Sequence, residues 1–313
     1  MSPLLTTDPS QEPGSVSWPS VSIVIPTYNS AATLPRCLDS CLAQGVPPQE
    51  IVVVDDVRTT DATRSIATDR GVTLLVDPAG MAESRNVGAR STTGDYILHI
   101  DSDMILDNNV ISKALAEMQA TSADAIVIAE QSEGTGPWAS ARELDKQVVA
   151  ATQCGESARL FKRAAFTSLG GYDPALTAGE DADMHRRLLA AGFRVSRLGT
   201  GIRHNEGNIT LASVWAKKYK YGLTAPRFVA KHGPLVPAHN QLRRLWIGLF
   251  AHAPITVRLR YCLLKTTEFA AFSLGQCVAS HEPYRSPHAI TARVGPNTTA
   301  SWLRGRRRTA RGR

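Results

Sequence analysis

The chain is expected to adopt an α/β fold: a mostly parallel sheet flanked by helices, with a helical C-terminal appendage. Three observations point there: apolar runs of four or five residues, helix-period stretches between them, and polar or acidic groups where the runs stop. Runs that are apolar throughout, rather than alternating, mark strands buried on both faces, and such strands need helices above and below.

Taken in order, residues 21–25 form the first strand. Residues 31–44 follow as an amphipathic helix, with Leu34, Cys37, Leu38, Cys41 and Leu42 on one stripe and Gly45 after its end. Residues 51–54 are the second strand, 60–69 a helix, 73–76 the third strand and 81–89 a helix. The fourth strand, 96–100, is entered from Gly94-Asp95 and interrupted by His99. A helix over 108–119 and a strand over 125–129 continue the alternation. Glu180 opens a later helix with Met184, Leu188 and Leu189 on its buried side, and 194–198 reads as another strand.

Size and charge narrow the class. A chain of 313 residues can bury a full core in at most two or three domains. Its 43% hydrophobic and 20% charged content is that of a soluble globular enzyme. The net charge of +7 is local: six arginines lie within Arg304–Arg313, and the body is nearly neutral. Residues 1–18 are expected to be a disordered leader and 283–313 a disordered basic tail, which could touch anionic lipid or nucleic acid or simply aid solubility; no specific nucleic-acid partner is expected. Five cysteines at 37, 41, 154, 262 and 277 show no metal or redox spacing, and Cys37 and Cys41 read as buried thiols. A reducing cytoplasm is therefore expected. No signal peptide is evident at the N-terminus, and 245–257 is too short to cross a bilayer.

In open α/β sheets, ligands bind beyond the carboxyl ends of the strands. Here those ends carry Pro26-Thr27-Tyr28-Asn29, Asp55-Asp56 and Asp101-Ser102-Asp103. An extended backbone would point Asp101 and Asp103 to one side. Acids gathered at one crevice repel one another unless a cation or a hydrogen-bonding ligand joins them. Ser84-Arg85-Asn86 adds the opposite charge, placed to open a short helix where phosphate could bind. No Gly-x-Gly-x-x-Gly or Walker sequence is present, which weighs against a dinucleotide oxidoreductase or a P-loop kinase.

Ile25-Pro26-Thr27-Tyr28-Asn29, Val54-Asp55-Asp56, Ser84-Arg85-Asn86-Val87-Gly88 and Asp101-Ser102-Asp103 stand in the order and spacing of the family 2 glycosyltransferases. Gly170-Gly171-Tyr172-Asp173 and Gly179-Glu180-Asp181-Ala182-Asp183 resemble that family's acceptor-side signature. The resemblance covers roughly residues 20–210 and implies a GT-A (Rossmann-like) domain over 19–210. It also implies a metal-dependent, inverting transfer of a sugar from a nucleotide-diphosphate donor to an acceptor hydroxyl, in cell-envelope polysaccharide or glycolipid synthesis.

By that resemblance Pro26, Tyr28 and Asp56 hold the base and ribose, and Arg85 lies near the nucleotide or its phosphates. Asp101 assists at the ribose or the metal. Asp103 ligates a divalent cation, Mn²⁺ or Mg²⁺, and His204 joins it near the diphosphate. Asp181 acts as general base, Glu180 orients it or binds the acceptor, and Asp183 is read as a helix-surface residue. The chain departs from the family at Val57-Arg58, where a small turn residue is usual, and Arg58 could add a contact to the nucleotide.

Residues 211–282 are expected to form the helical appendage. Trp215 to Gly222 mixes aromatics with three lysines at helical spacing, which suits either a helix burying Trp215 and Tyr219 or one lying on a membrane or an anionic acceptor. Peripheral contact with the inner face of the cell membrane and a glycan, glycolipid or polyprenyl-linked acceptor follow as expectations. The alternative is a non-catalytic nucleotide-binding or scaffold protein on a degenerate GT-A fold, against which Asp56, Asp101, Asp103 and Asp181 all argue.

Overall fold

The computed structural model describes residues 18–281, apart from 46, 47, 49, 78, 79, 154 and 235. The leader (Trp18 excepted), the basic tail and Cys154 lie outside the described residues. Strands are β1 (Val21–Thr27), β2 (Glu50–Asp56), β3 (Thr73–Asp77), β4 (Tyr96–His99), β5 (Met104–Leu106), β6 (Ala125–Ser132), β7 (Ala158–Lys162) and β8 (Val195–His204). Between them run α1 (Leu34–Leu42), α2 (Thr63–Asp69), α3 (Met81–Arg90), α4 (Val110–Thr121), α5 (Ala139–Thr152), α6 (Arg163–Ser168) and α7 (Glu180–Ala190). Three longer helices follow: α8 (Leu211–His232), α9 (Ala238–Leu249) and α10 (Ile255–His281).

The eight strands make one sheet in the order β3-β2-β1-β4-β7-β6-β8-β5. β1 pairs in parallel with β2 and β4, β2 with β3, and β6 with β8. β7 runs antiparallel between β4 and β6, and β5 antiparallel to β8. Reversal of β7 has a direct consequence for the site. It brings the start of β7 to the edge where β1, β2, β4, β6 and β8 end.

All seven residues of β1 are buried, as its unbroken apolar run requires. Ile23, Ile25, Leu34, Cys37, Leu38 and Cys41 pack on one face of the sheet with α1 and α4. Val24, Val54, Phe161, Phe166 and Met184 pack on the other with α3, α6 and α7. A third cluster, including Leu144, Val148, Tyr261 and Leu264, joins α5 to the C-terminal helices.

The first expected helix is shorter than its apolar stripe. The Ala31 N–H is taken by Asp61 Oδ2 at 2.9 Å, and the Leu34 N–H by the Ser30 carbonyl at 2.9 Å, so the chain turns before it winds. β5, β7, α5 and α6 escape hydrophobic periodicity. β7 carries Arg159 inside its run, and α5 buries Arg142 and Asp145 on its inward face. The apolar stretch 245–257 is split between α9 and α10 by a break that contains Pro254.

α8 and α10 cross at glycines. A Cβ on Gly222 would fall 2.2 Å from the Phe272 carbonyl oxygen, and one on Gly275 would fall 2.4 Å from that of Tyr219. Only glycine lets these two backbones touch. Trp215 on α8 is exposed rather than buried, while Lys218 turns inward to Glu268. One aromatic thus stays out and one lysine is drawn in, while Lys217 and Lys220 remain exposed and Tyr219 is half-buried.

Candidate functional site

The site is built where strand ends meet α7. Met104 donates its N–H to the Asp101 carbonyl at 2.9 Å, so Asp101-Ser102-Asp103 is a turn. The expected common direction of Asp101 and Asp103 therefore fails, because a turn lacks the two-residue repeat of an extended strand. Asp101 faces two arginines: Arg85 Nη2 at 2.6 Å and Arg159 Nη1 at 3.6 Å. Asp103 faces His204 Nε2 at 3.2 Å.

Arg85 sits inside α3, not at its opening, and is only 3% exposed. Its second nitrogen reaches Glu180 Oε1 at 2.8 Å, and its guanidinium lies 5.3 Å from the centroid of the Tyr172 ring. One side chain thus links the end of β4 to the start of α7. The loop before α7 is held by Asn86, which accepts from the Tyr172 N–H and donates to the Tyr172 carbonyl, both at 2.8 Å. Gly179, with φ at +84°, makes the left-handed turn into the helix.

The two acids at the start of α7 differ. Glu180 is buried and paired with Arg85, whereas Asp181 lines a cavity of about 320 Å³ with Tyr172, Arg159 and His204. Burial, then the nearby charge of Asp181, push the Glu180 carboxyl up to about 7, against the pull of Arg85. Asp101 moves the other way. Burial would raise it, but Arg85 and Arg159 hold it well below the usual carboxylate range.

Asp183 is not on the helix surface. It is fully buried and takes Arg187, Lys231 and His232, an arrangement that docks α7 on the end of α8. Its i,i+4 pairing with Arg187 was visible in the sequence; its partners on α8 were not.

At the other strand ends, Asp55 and Asp56 part company. Asp55 is an internal brace for Thr27, Thr59 and Arg64. Asp56 accepts from the backbone N–H and the Nε of Arg58, at 2.9 and 2.8 Å. The Arg58 guanidinium lies 5.4 Å from the centroid of the Tyr28 ring, which is exposed, so the unusual Arg58 gathers Tyr28 and Asp56 into one surface. Pro26 is buried within β1.

His204, at the end of β8, bridges Asp103 and Glu130. Burial opposes its charge, yet the hydrogen bonds to Asp103 and Glu130 push it up to about 9. Among the described residues, no three His, Cys, Asp or Glu side chains are grouped to hold a metal. Asp101, Asp103 and His204 thus do not converge as a trio, because the arginines draw Asp101 away. Asp103 and His204 remain a pair. The half-exposed Asp103 carboxylate suits a hard divalent cation that takes its other ligands from phosphate and water, and His204 would have to release its proton to join it.

Residues 22–166 match the family described as Glycosyl transferase family 2. That match spans just under half of the 313 residues. This glycosyltransferase is 25% identical over 295 residues to the succinoglycan biosynthesis protein ExoA of Rhizobium meliloti, covering 87% of this chain and 89% of that protein. It is 27% identical over 189 residues to a PGL/p-HBAD biosynthesis glycosyltransferase of Mycobacterium bovis, covering 57% and 73%. Among solved structures, the mannosyltransferase PcManGT from Pyrobaculum calidifontis superposes with a TM-score of 0.56 at 18% identity, covering 96% of this chain and 84% of that one. The glycosyltransferase has the GT-A fold.

Sequence reading missed Arg159, Glu130 and Lys146. Arg159 pairs with both Asp101 and Glu130, and Lys146 with Glu130. Glu130 lies toward the end of β6, which runs in the direction of β4, and the reversal of β7 brings Arg159 to the same edge. An arginine inside an otherwise apolar run was the available signal.

Proposed function

We propose that this glycosyltransferase moves a sugar from a nucleotide-diphosphate donor, seated at the ends of β1, β2 and β4, to an acceptor hydroxyl in the cavity beside Asp181. The observation that carries this reading is the Asp101–Arg85–Glu180 chain, which ties the donor edge to the helix that presents Asp181. In this reading the acceptor oxygen attacks the anomeric carbon, the bond from that carbon to the diphosphate oxygen breaks, and Asp181 takes the hydroxyl proton. A single displacement of this kind inverts the anomeric centre. Tyr28, Asp56 and Arg58 would hold the base and ribose; Pro26 shapes the strand beneath them. Arg85 and Asp101 serve as positioning groups.

Asp103, with His204, would hold Mn²⁺ or Mg²⁺. Such a cation, when bound, neutralises charge on the departing diphosphate. The PcManGT structure is a complex with GDP-Man and Mn²⁺, which supports a nucleotide-sugar donor and a divalent cation for this fold. The names of the Rhizobium and Mycobacterium relatives support a role in polysaccharide or glycolipid synthesis.

Calorimetric titration with UDP, GDP and dTDP, with and without Mn²⁺, tests the reading. Metal-linked binding of one nucleotide is expected and would name the base. Binding of none would favour the scaffold alternative.

A pH profile offers a second test. If the Glu180–Asp181 pair must be fully ionised for proton removal, kcat/KM rises with pH through a midpoint near 7. The same raised carboxyl contributes stability that is present below about 4.5 and lost as pH climbs through about 7. Glu180→Gln should move the kinetic midpoint downward, and an unmoved midpoint would sink the assignment.

The C-terminal helices support peripheral contact with an anionic bilayer as part of the same proposal. Leu242, Trp246 and Phe250 are 58%, 59% and 68% exposed at one-turn spacing on and after α9, and Ile255, Leu259 and Leu263 repeat the pattern on α10. Glu268, which is buried, is the only acid between 233 and 281, while Arg243 and Arg260 are exposed. Among the described residues no helix is long and apolar enough to cross a membrane. Such a face lies on a surface. The protein should sediment with phosphatidylglycerol vesicles, and Trp246→Glu with Phe250→Glu should abolish this; a soluble wild type would refute the contact.

A further inference from the structure

The cavity beside Asp181 is unusually cationic. Eight lysines and arginines line it against five carboxylates. Its walls come from β6, β7 and α5 on one side and from α8, α9 and α10 on the other. Four of its cations come from four separate elements: Arg142 on α5, Lys218 on α8, Arg244 on α9 and Lys265 on α10.

Those four share only three carboxylates. Arg142 contacts Asp145 at 3.0 Å, Glu206 at 3.5 Å and Glu268 at 2.8 Å. Lys265 lies 3.1 Å from Asp145 and 2.6 Å from Glu268, Arg244 lies 3.3 Å from Asp145, and Lys218 lies 3.6 Å from Glu268. Asp145 and Glu268 are almost completely buried, so the surplus positive charge sits where water screens it poorly. The Nε of Arg244 is buried with no hydrogen-bond partner. Lys218 shows the imbalance. Glu268 favours its charge, yet burial and the neighbouring Lys265 and Arg142 lower its pKa.

Lys217 adds one more cation. It is exposed, lines both this cavity and an adjoining one of about 170 Å³, and has no carboxylate within ion-pair distance among the described residues. A buried excess of charge is unfavourable in the empty protein, and a multiply charged anion relieves it. A carboxylate offers two oxygens. The donors converging here outnumber that and match a phosphate or diphosphate, which accepts from lysine ammonium and arginine forks together.

We infer that this cavity binds a phosphate or diphosphate group carried by the acceptor. The inference rests on the reading that places the acceptor beside Asp181. The donor's diphosphate belongs to the edge formed by Asp56, Asp101 and Asp103; these cations stand on α5 and the C-terminal helices. Lys217 and Lys218 also border the adjoining cavity that Asp103 and His204 line, which is why competition with nucleotide is the deciding arm of the test.

The test is titration of the full chain with inorganic pyrophosphate in metal-free buffer, repeated after saturation with Mg²⁺ and the nucleoside diphosphate it binds. One saturable site is expected, filled equally well with nucleotide present. Lys217→Glu should weaken it about tenfold, the loss of one charge-assisted contact. That position is exposed, so folding is not at stake, and Lys218→Met should weaken it similarly. Asp103→Asn should remove metal-linked nucleotide binding and leave pyrophosphate binding intact.

Absence of saturable binding, or binding indifferent to Lys217→Glu, would overturn the inference. One-for-one displacement by nucleotide would assign the anion site to the donor instead. Pyrophosphate binding in a protein that takes no nucleotide would keep an anion site but overturn both its assignment to an acceptor and the donor reading.

Discussion

Asp181→Asn is expected to lower kcat by about 10²–10⁴-fold, the range for removal of a positioned general base. Asp181 lines the cavity, whereas its neighbour Glu180 is held on Arg85. An amide keeps the size and the hydrogen bond to the Ala182 N–H, 2.7 Å in the parent, but accepts no proton. The donor KM and the melting temperature should therefore change little. Single-turnover rates at saturating donor are the measurement. Asp181→Asn above a tenth of parental activity would remove it as base, and a larger loss in Glu180→Gln would move that role one residue back.

Arg85→Met should have the largest effect on stability. The arginine is buried and reaches two carboxylates on separate elements, Asp101 at 2.6 Å and Glu180 at 2.8 Å. Removing one partner of a buried ion pair costs about 3–5 kcal/mol, because a charge is left without compensation. Glu180 can answer by taking up a proton, since its carboxyl already stands at about 7. Asp101 loses the main charge that holds its pKa down and keeps the longer contact to Arg159. Urea unfolding should show the loss, and Arg85→Lys should recover only part of it, because one ammonium cannot span both acids. A change under about 1 kcal/mol would mean the pairing contributes little net stability.

The two variants also separate positioning from chemistry. Asp181→Asn should leave fold and nucleotide binding intact while turnover fails. Arg85→Met should loosen α7 from the strand edge, so that stability and turnover fall together.

Much of the strand-end edge was legible from residue order. Tyr28, Asp56, Arg85, Asp101 and Asp103 stand at or beside the edge where β1, β2 and β4 end, because a chain that alternates buried strands with helices puts those ends together. Buried Cys37 and Cys41 were legible too, from a stripe with period 3.6. The directions of side chains were less accessible. Asp101 and Asp103 diverge because the chain turns at 101, and Asp183 is buried because α8 returns to cover it.

The sequence by itself determined the sheet, the strand-end acids and the family resemblance, since all three depend on local periodicity and on short motifs in fixed order. Only the tertiary structure decided which cation answers which acid. β7 runs backwards between β4 and β6, carrying Arg159 to Asp101 and Glu130. The C-terminal helices return over α5, more than 60 residues upstream in the chain, and bring Lys218, Arg244 and Lys265 to the cavity it lines. Charge pairing acts through space over a few ångströms, and pattern along a chain carries no record of which distant segments will come that close.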